Sequence, residues 1–138
     1  ANGNEVKPGA GAAGGLGYGL MSFLNAELKS GIDQVFRILD FDKHLTNLDL
    51  IITGEGKLDG QTLSGKVISG VCDKAKQHNI PVGIICGMAE EIVEVKAQLG
   101  VEEIYEVRQK ADNFKDSMQN AAVYVEQLAE ELMQSFTR

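Results

Sequence analysis

Residues 47–66, NLDLIITGEGKLDGQTLSGK, decide the fold that we predict for this chain. The stretch opens with a short apolar run that is partly β-branched and therefore typical of a buried strand: Leu48, Leu50, Ile51 and Ile52. The run stops at Thr53-Gly54-Glu55-Gly56, where two glycines flank an acid and predict a sharp turn or a close approach to a ligand. Because ligands of open α/β sheets bind beyond the carboxyl ends of the strands, this turn is the candidate site.

The sequence after the candidate site alternates between helical and strand patterns. In order, it predicts a helix that begins near Leu63 and ends at Asn79-Ile80-Pro81, an apolar strand at residues 82–87, a short helix closed by Gly100, a more polar strand at residues 103–107 and a final helix capped by Asp112 or Asn113. This alternation predicts an α/β fold with a parallel sheet between helical layers. Three strands are few for such a sheet, so we expect a partner chain or a further segment to complete it.

Caps and apolar spacing predict how two of the helices begin and pack. Ser30, followed by Asp33, forms a loose capping box before one of them. The final helix carries apolar residues at spacings of three and four, which we interpret as a face packed in the core: Phe114, Met118, Ala121, Val125, Leu128, Leu132 and Phe136.

The composition is that of one ordinary globular domain of 138 residues with a net charge of −7. This acidic balance argues against nucleic acid as a partner, and the sequence contains no long apolar run that predicts a membrane span. Cys72 and Cys86 stand in no metal or redox spacing, so we predict two buried thiols and a cytoplasmic protein. The start at Ala1, without Met, leads us to expect a processed, tagged or truncated product.

A second unusual stretch, PGAGAAGGLGYG at residues 8–19, is rich in glycine and alanine. Residues 9–14 match the dinucleotide-binding pattern G-x-G-x-x-G, but that mechanism requires a preceding strand and the sequence predicts none. Two other interpretations remain open. The small residues let backbones pack closely, or the N–H groups of Gly9, Gly11, Gly14 and Gly15 form a cradle for a phosphate or carboxylate at a helix N-terminus.

The polar side chains after Gly54 suit phosphoryl transfer, in which catalysis consists mainly of positioning and charge stabilisation. Cations can neutralise phosphate oxygens, carboxylates can bind Mg²⁺ or accept a proton from a hydroxyl group, and neutral polar groups can orient a substrate. The chain offers all three kinds, namely Lys57 and Lys66, Glu55 and Asp59, and Gln61 and Thr62. The stretch is not a Walker A loop, because neither of its Gly-Lys pairs precedes Ser or Thr. In the alternative interpretation, Asp59 or Thr62 only caps the following helix and the charges are solvated.

PGAGAAGGLGYGL followed by DLIITGEGKLDGQTLSGK resembles the bacterial glycerate kinase family (type 1), whose members phosphorylate D-glycerate with ATP. That family is marked by a proline-led glycine-alanine stretch and by a later ITGEG-R-LD-x-QT-x-x-GK segment, and both occur here in that order. The resemblance covers nearly the whole chain. Lys57 departs from the family pattern, because arginine is usual there and lysine lacks its bidentate fork.

The resemblance implies an α/β fold with a Rossmann-like parallel sheet between helices, incomplete here and preceded by a glycine-rich helical segment from a second, inserted domain. Residues 1–46 would end the inserted domain, and residues 47–138 would form the C-terminal part of the Rossmann-like domain. The chain would then be a C-terminal fragment, inactive alone, with the active site in the cleft between the two domains. Its partners would be glycerate, ATP and the missing N-terminal part of the parent chain, and exposed apolar surface would favour self-association.

The residues that fall on the family motif are Glu55, Asp59, Gln61, Thr62 and Lys66. We assign Asp59 as a base or Mg²⁺ ligand with Glu55 as a second metal ligand, and Lys57 and Lys66 as catalytic cations. Gly54, Glu55, Gly56, Gln61, Thr62 and the backbone of the glycine-rich stretch would bind substrate or phosphate. The competing hypothesis is a non-catalytic α/β domain that binds an anion or a nucleotide.

Overall fold

The computed structural model describes residue 7 and residues 9–60 and 67–137. These residues form three strands, β1 Ile51–Leu58, β2 Val82–Ala89 and β3 Glu103–Glu106. The helices among them are α1 Ala12–Leu24, α2 Gly31–Ile38, α3 Phe41–His44, α4 Val67–Gln77, α5 Ile92–Leu99, α6 Val107–Lys110, α7 Phe114–Gln119 and α8 Ala121–Phe136. None of these helices combines the length and the apolar character needed to cross a membrane.

The three strands form one parallel sheet in the order β1-β2-β3. Ile51 pairs with Val82 at the start of the first pair, and Gly83 pairs with Glu103 at the start of the second. Because α4 connects β1 to β2 and α5 connects β2 to β3, each connection is a βαβ unit. The predicted α/β fold with a parallel sheet flanked by helices is therefore confirmed.

The core lies on both faces of the central strand β2. On one face, Ile84 and its neighbours pack against Ile68 of α4 and Val95 of α5. On the other face, Ile85 packs against Leu128 and Leu132 of α8. The fully apolar sequence of β2 follows from this position, since a central parallel strand is buried on both sides.

The turn predicted at residues 53–56 is wrong, because β1 continues through Gly54, Glu55 and Gly56 to Leu58. The strand also begins at Ile51, three residues later than its apolar run suggested. At position 54, glycine is needed for close strand packing and not for a turn. A Cβ on Gly54 would lie 2.2 Å from the Ile85 oxygen, and neither Gly54 nor Gly56 has a positive φ.

The pleat of β1 is interrupted in its second half. Ile51 and Leu58 pack against the same side of the core, although an odd number of steps separates them and strict alternation would place them on opposite faces. The backbones are also close here, since a Cβ on Gly87 of β2 would lie 2.4 Å from the Gly56 oxygen. This interruption sets the direction of the side chains that leave the carboxyl end of β1.

The predicted single final helix is two helices separated at Asn120. Asn113 caps α7, as predicted, through a bond of 3.0 Å from the Asp116 backbone N–H to its side chain. The predicted core face is only partly buried. Leu128 and Leu132 lie in the core, whereas Phe114, Met118 and Val125 are exposed.

Three other helices, α1, α2 and α5, differ in how well their sequences predict them. Ser30 caps α2 as predicted, because its hydroxyl oxygen accepts a bond of 3.4 Å from the Asp33 backbone N–H. Gly100 closes α5 in the left-handed conformation, also as predicted. The apolar stripe of α1, however, is largely exposed within the part of the chain that is described: Leu16, Phe23 and Leu24.

We expect Gly54→Ala to lower the free energy of unfolding by about 1–3 kcal/mol, since its methyl group would collide with the backbone of β2. Gly56→Ala is the matched control, because open space surrounds its Cβ position. Urea unfolding of both variants measures the difference. Equal losses in the two would contradict the strand geometry and favour a glycine-dependent turn.

Candidate active site

Lys57 lies at the centre of a charged cluster at the carboxyl ends of β1 and β2. Its Nζ lies 2.9 Å from Glu90 Oε1 and 3.6 Å from Asp59 Oδ2. The hydrogen bond to Glu90 raises the pKa of Lys57, and the charges of Glu90 and Asp59 add to that effect against a smaller cost of burial. The ammonium group therefore stays protonated, as a cation that binds phosphate must.

Glu90 is a site residue that the sequence prediction missed. It follows β2 directly, and its backbone N–H donates a bond of 2.9 Å to the carbonyl oxygen of Leu58, the last residue of β1. The carboxyl ends of neighbouring parallel strands meet at the same edge of the sheet. The polar motif of the sequence lies in the segment after β1, whereas that rule applies equally to the residue after β2.

Glu106 fixes the backbone beside this cluster from the end of β3. Its side chain is only 7% exposed, and Oε2 accepts a bond of 2.8 Å from the backbone N–H of Ala89. Oε1 accepts a second bond from the side-chain amide of Gln109. Ala89 in turn pairs with Leu58, so this buried carboxylate ties the last residue of β2 to the third strand.

The two cysteines are buried and free, as predicted. Burial raises the pKa of Cys86 to about 12, with further contributions from the negative charges of Glu106 and Glu55. Burial and the charge of Asp73 raise the pKa of Cys72 to about 11. Both groups are therefore neutral thiols and not nucleophiles at neutral pH.

A cavity of ≈ 410 Å³ adjoins the cluster at the carboxyl ends of β1 and β2. We call it the β2 cavity, and it is lined by Glu55, Gly56, Ile85, Cys86, Gly87, Met88, Val107, Arg108, Phe114, Ser117, Met118, Ala121 and Val125. Most of these side chains are apolar. The predicted ligand Glu55 thus faces this cavity, together with the backbone of Gly56.

The predicted site residues are only partly brought together. Lys57 and Asp59 share the charged cluster, and Glu55 and Gly56 line the adjoining β2 cavity. Among the described residues, no group of three or more His, Cys, Asp or Glu side chains could hold a metal ion. A Mg²⁺ site of one or two carboxylates completed by phosphate oxygens and water remains compatible with this arrangement. Gln61, Thr62 and Lys66 lie outside the described residues.

The glycine-rich stretch adopts an unusual backbone at the start of α1. Gly9, Gly14 and Gly15 have positive φ, as does Ala13 between them, so the first turn of the helix is not regular. Close packing accounts for Gly17, because a Cβ there would lie 2.6 Å from the Gly9 oxygen. No comparable constraint acts on Gly11. The anion cradle at Gly9, Gly11, Gly14 and Gly15 remains a prediction.

The comparison with known proteins is decisive for the family. The sequence model of the glycerate kinase family matches residues 1–137. The chain belongs to the glycerate kinase family. The expectation drawn from the two glycine-containing motifs is thereby confirmed.

Individual members of the glycerate kinase family show how much of a relative this chain represents. It is 39% identical over 127 residues to a glycerate kinase of Bacillus subtilis (strain 168). The aligned region covers 92% of this chain and 33% of that relative. The chain is 47% identical over 100 residues to a glycerate 2-kinase of Escherichia coli (strain K12), covering 72% of this chain and 26% of the relative. The chain therefore spans about a third of the length of the curated relatives that it matches.

A solved structure supports the same family. A protein from Salmonella typhimurium LT2 that carries the provisional name glycerate kinase 2 superposes with a TM-score of 0.67 and 33% sequence identity. The match covers 94% of this chain and 33% of that chain. The fold described above is therefore shared with a member of the glycerate kinase family.

We expect Glu106→Ala to lower the free energy of unfolding by about 1–3 kcal/mol, because the part-buried N–H of Ala89 would lose its carboxylate acceptor. Glu102→Ala, at an exposed position near the start of β3, is the control. Urea unfolding gives the free energies, and hydrogen exchange of the Ala89 amide shows whether the loss is local. An unchanged exchange rate at Ala89 would contradict this role of Glu106.

Because both thiols are buried, we expect the protein to lose stability in alkaline solution. Their pKa values are raised from an ordinary value of 9.0 to about 11 and about 12 in the folded protein, so the unfolded chain releases these protons first. The contribution of the thiols to stability is complete below about pH 9 and is lost as the pH rises toward 11–12. Urea unfolding between pH 8 and pH 11, compared with Cys72→Ala, measures the effect. An identical pH dependence in that variant would contradict the contribution of Cys72.

Proposed function

We propose that this chain provides one side of a kinase active site that transfers the γ-phosphoryl group of ATP to a hydroxyl group of D-glycerate. The observation that carries the proposal is the cluster of Lys57, Asp59 and Glu90 at the carboxyl edge of a parallel sheet in a member of the glycerate kinase family. Phosphoryl transfer needs fixed cations and carboxylates and little covalent chemistry from the protein. The cluster supplies both kinds of group on adjacent strand ends.

Lys57 and Asp59 have complementary roles in this proposal. The Lys57 ammonium neutralises phosphate oxygens, and its raised pKa keeps it charged. Asp59 accepts the proton of the glycerate hydroxyl or binds Mg²⁺, with Glu55 as the second carboxylate for the metal. Mg²⁺, when bound, would neutralise the phosphates of ATP. Lys66, Gln61 and Thr62 complete the proposed set as a further cation and as groups that orient the substrate.

We propose that the opposite side of the site comes from the part of the relatives that this chain does not match. The chain spans about a third of their length, and several large apolar side chains on α1 and α2 remain exposed, such as Phe23 and Ile38. A stable soluble protein normally covers apolar surface of this kind. We therefore propose that the remaining two thirds pack here, that the chain alone is inactive, and that it self-associates when it is alone.

The direct test joins this chain to the remainder of the Bacillus subtilis relative in place of the matching segment. We expect the chimera to form phosphoglycerate from D-glycerate only when ATP and Mg²⁺ are present, and the chain alone to form none. Circular dichroism confirms that the chimera is folded. A folded chimera without turnover would contradict the kinase proposal, and equal turnover by the chain alone would contradict the shared site.

We expect Asp59→Asn in the chimera to lower kcat by about 10²–10⁴-fold, the usual contribution of a general base. Asp49→Asn is the matched control, because Asp49 is an exposed acid just before β1. Steady-state kinetics with both substrates measures the effect. Unchanged kcat in Asp59→Asn would remove this residue from the mechanism and would favour a domain that only binds an anion or a nucleotide.

A further inference from the structure

The β2 cavity is lined mostly by apolar side chains and is chemically distinct from the charged cluster beside it. Three of its apolar side chains come from the helical face that the sequence predicts as core, yet they remain accessible: Phe114 is 64%, Met118 68% and Val125 42% exposed. Together with Ile85 of the central strand, they line the cavity. Within the described part of the chain, an accessible apolar hollow therefore replaces the expected packing of α7 on the sheet.

Among the described residues, few polar side chains line this hollow. Glu55 offers a carboxylate acceptor from β1, and Arg108 offers a guanidinium donor from α6. The backbones of Gly56 and Gly87 line the cavity without side chains. An apolar cavity of ≈ 410 Å³ with a few fixed polar groups has the size and composition of a small-molecule site, which typically measures about 300–1,000 Å³.

The position of the cavity connects it to the charged cluster. Gly56 lines the cavity and directly precedes Lys57, while Met88 lines the cavity and pairs with Lys57 across the two strands. Lys57 is therefore next to one lining residue in the chain and opposite another in the sheet.

We propose that the β2 cavity binds the purine base of the nucleotide, with Phe114 and Met118 against the face of the ring. This inference rests on the proposed kinase function and adds the place at which the nucleotide is recognised. A flat aromatic ring gains from contact with the Phe114 ring and the Met118 thioether. Its ring nitrogens can accept hydrogen bonds from Arg108, and the phosphates extend toward Lys57, where Glu55 remains available to the metal ion.

The same chemistry argues against glycerate as the occupant. Glycerate is small, polar and anionic, so an apolar wall offers it little and the Glu55 carboxylate repels it. The apolar area of the cavity contributes binding free energy only to a ligand that covers it, at roughly 25 cal/mol per Å². Of the two substrates, only the nucleotide has an apolar face to bury.

The four methionines of the chain allow a direct test. Met88 and Met118 line the cavity, whereas Met21 in α1 and Met133 in α8 do not. We expect adenosine, added to the chain or to the chimera labelled at the methionine methyl groups with ¹³C, to shift the NMR signals of Met88 and Met118 saturably and to leave those of Met21 and Met133 in place. D-Glycerate and inorganic phosphate should not reproduce these shifts.

A pair of variants adds a kinetic test in the chimera. Met118→Lys places a charge on the cavity wall at a position that is already exposed, so it should fold, and we expect it to raise the KM for ATP at least 10-fold without changing the KM for D-glycerate. Met133→Lys, at another exposed position of the neighbouring helix, is the control and should change neither value.

The outcomes separate this inference from the kinase proposal. If adenosine shifts neither methyl signal of the cavity methionines, or shifts all four methionine signals alike, the base site is wrong. A further segment of chain that fills the cavity in the chimera would leave the cavity signals unshifted. Turnover with an unchanged KM for ATP in Met118→Lys would also overturn the base site while the kinase proposal stands. Selective shifts with adenosine in a chimera that makes no phosphoglycerate would support the base site and overturn the kinase proposal.

Discussion

The close approach of the β1 and β2 backbones is the constraint on which the rest of the structure depends. At Gly54 and at Gly87 there is no room for a Cβ atom, because the oxygen of the neighbouring strand already occupies that space. This contact keeps β1 paired with β2 to its last residue. The two strands therefore end together, and the residues that follow them emerge side by side.

The electrostatics of the candidate site follow from that shared end. Lys57 contacts Glu90 only because the two strands end at the same level, and Asp59 directly follows Leu58, the last residue of β1. Glu106 holds the end of β2 from the opposite side through the Ala89 backbone. The charged cluster is thus carried by the ends of β1 and β2 and steadied by β3, and a rigid sheet edge is the kind of support that a catalytic arrangement needs.

The sequence predicts the sheet better than it predicts the site. The short, β-branched apolar run of β2 is typical of a strand buried on both faces, and the caps at Ser30, Asn113 and Gly100 each have one local hydrogen-bonding or conformational explanation. Gly54 was misassigned to a turn because a glycine that avoids a clash and a glycine that adopts positive φ look identical in sequence. Only the position of β2 distinguishes the two, and that position is tertiary information.

Glu90 and Glu106 were not predicted as site residues for the same reason. Glu90 and Glu106 lie 33 and 49 positions beyond Lys57 in the numbering, and nothing local marks either one. The exposure of Phe114 and Met118 could not be predicted from their spacing either, because spacing shows which residues share a helix face but not whether anything covers that face. Family resemblance supplied the identity of the motif residues, whereas their geometry, for those described, came only from the fold.

The pairing of Lys57 with two carboxylates has a consequence for how any anion reaches this edge of the sheet. One positive and two negative charges meet there, so the described cluster carries a net charge of about −1 rather than an attractive positive potential. A phosphate that binds Lys57 shares the ammonium group with Glu90 and Asp59. A metal ion bound to that phosphate would offset the negative charge that the phosphate adds. The cluster thus favours an anion that arrives with its own counterion over one that arrives bare.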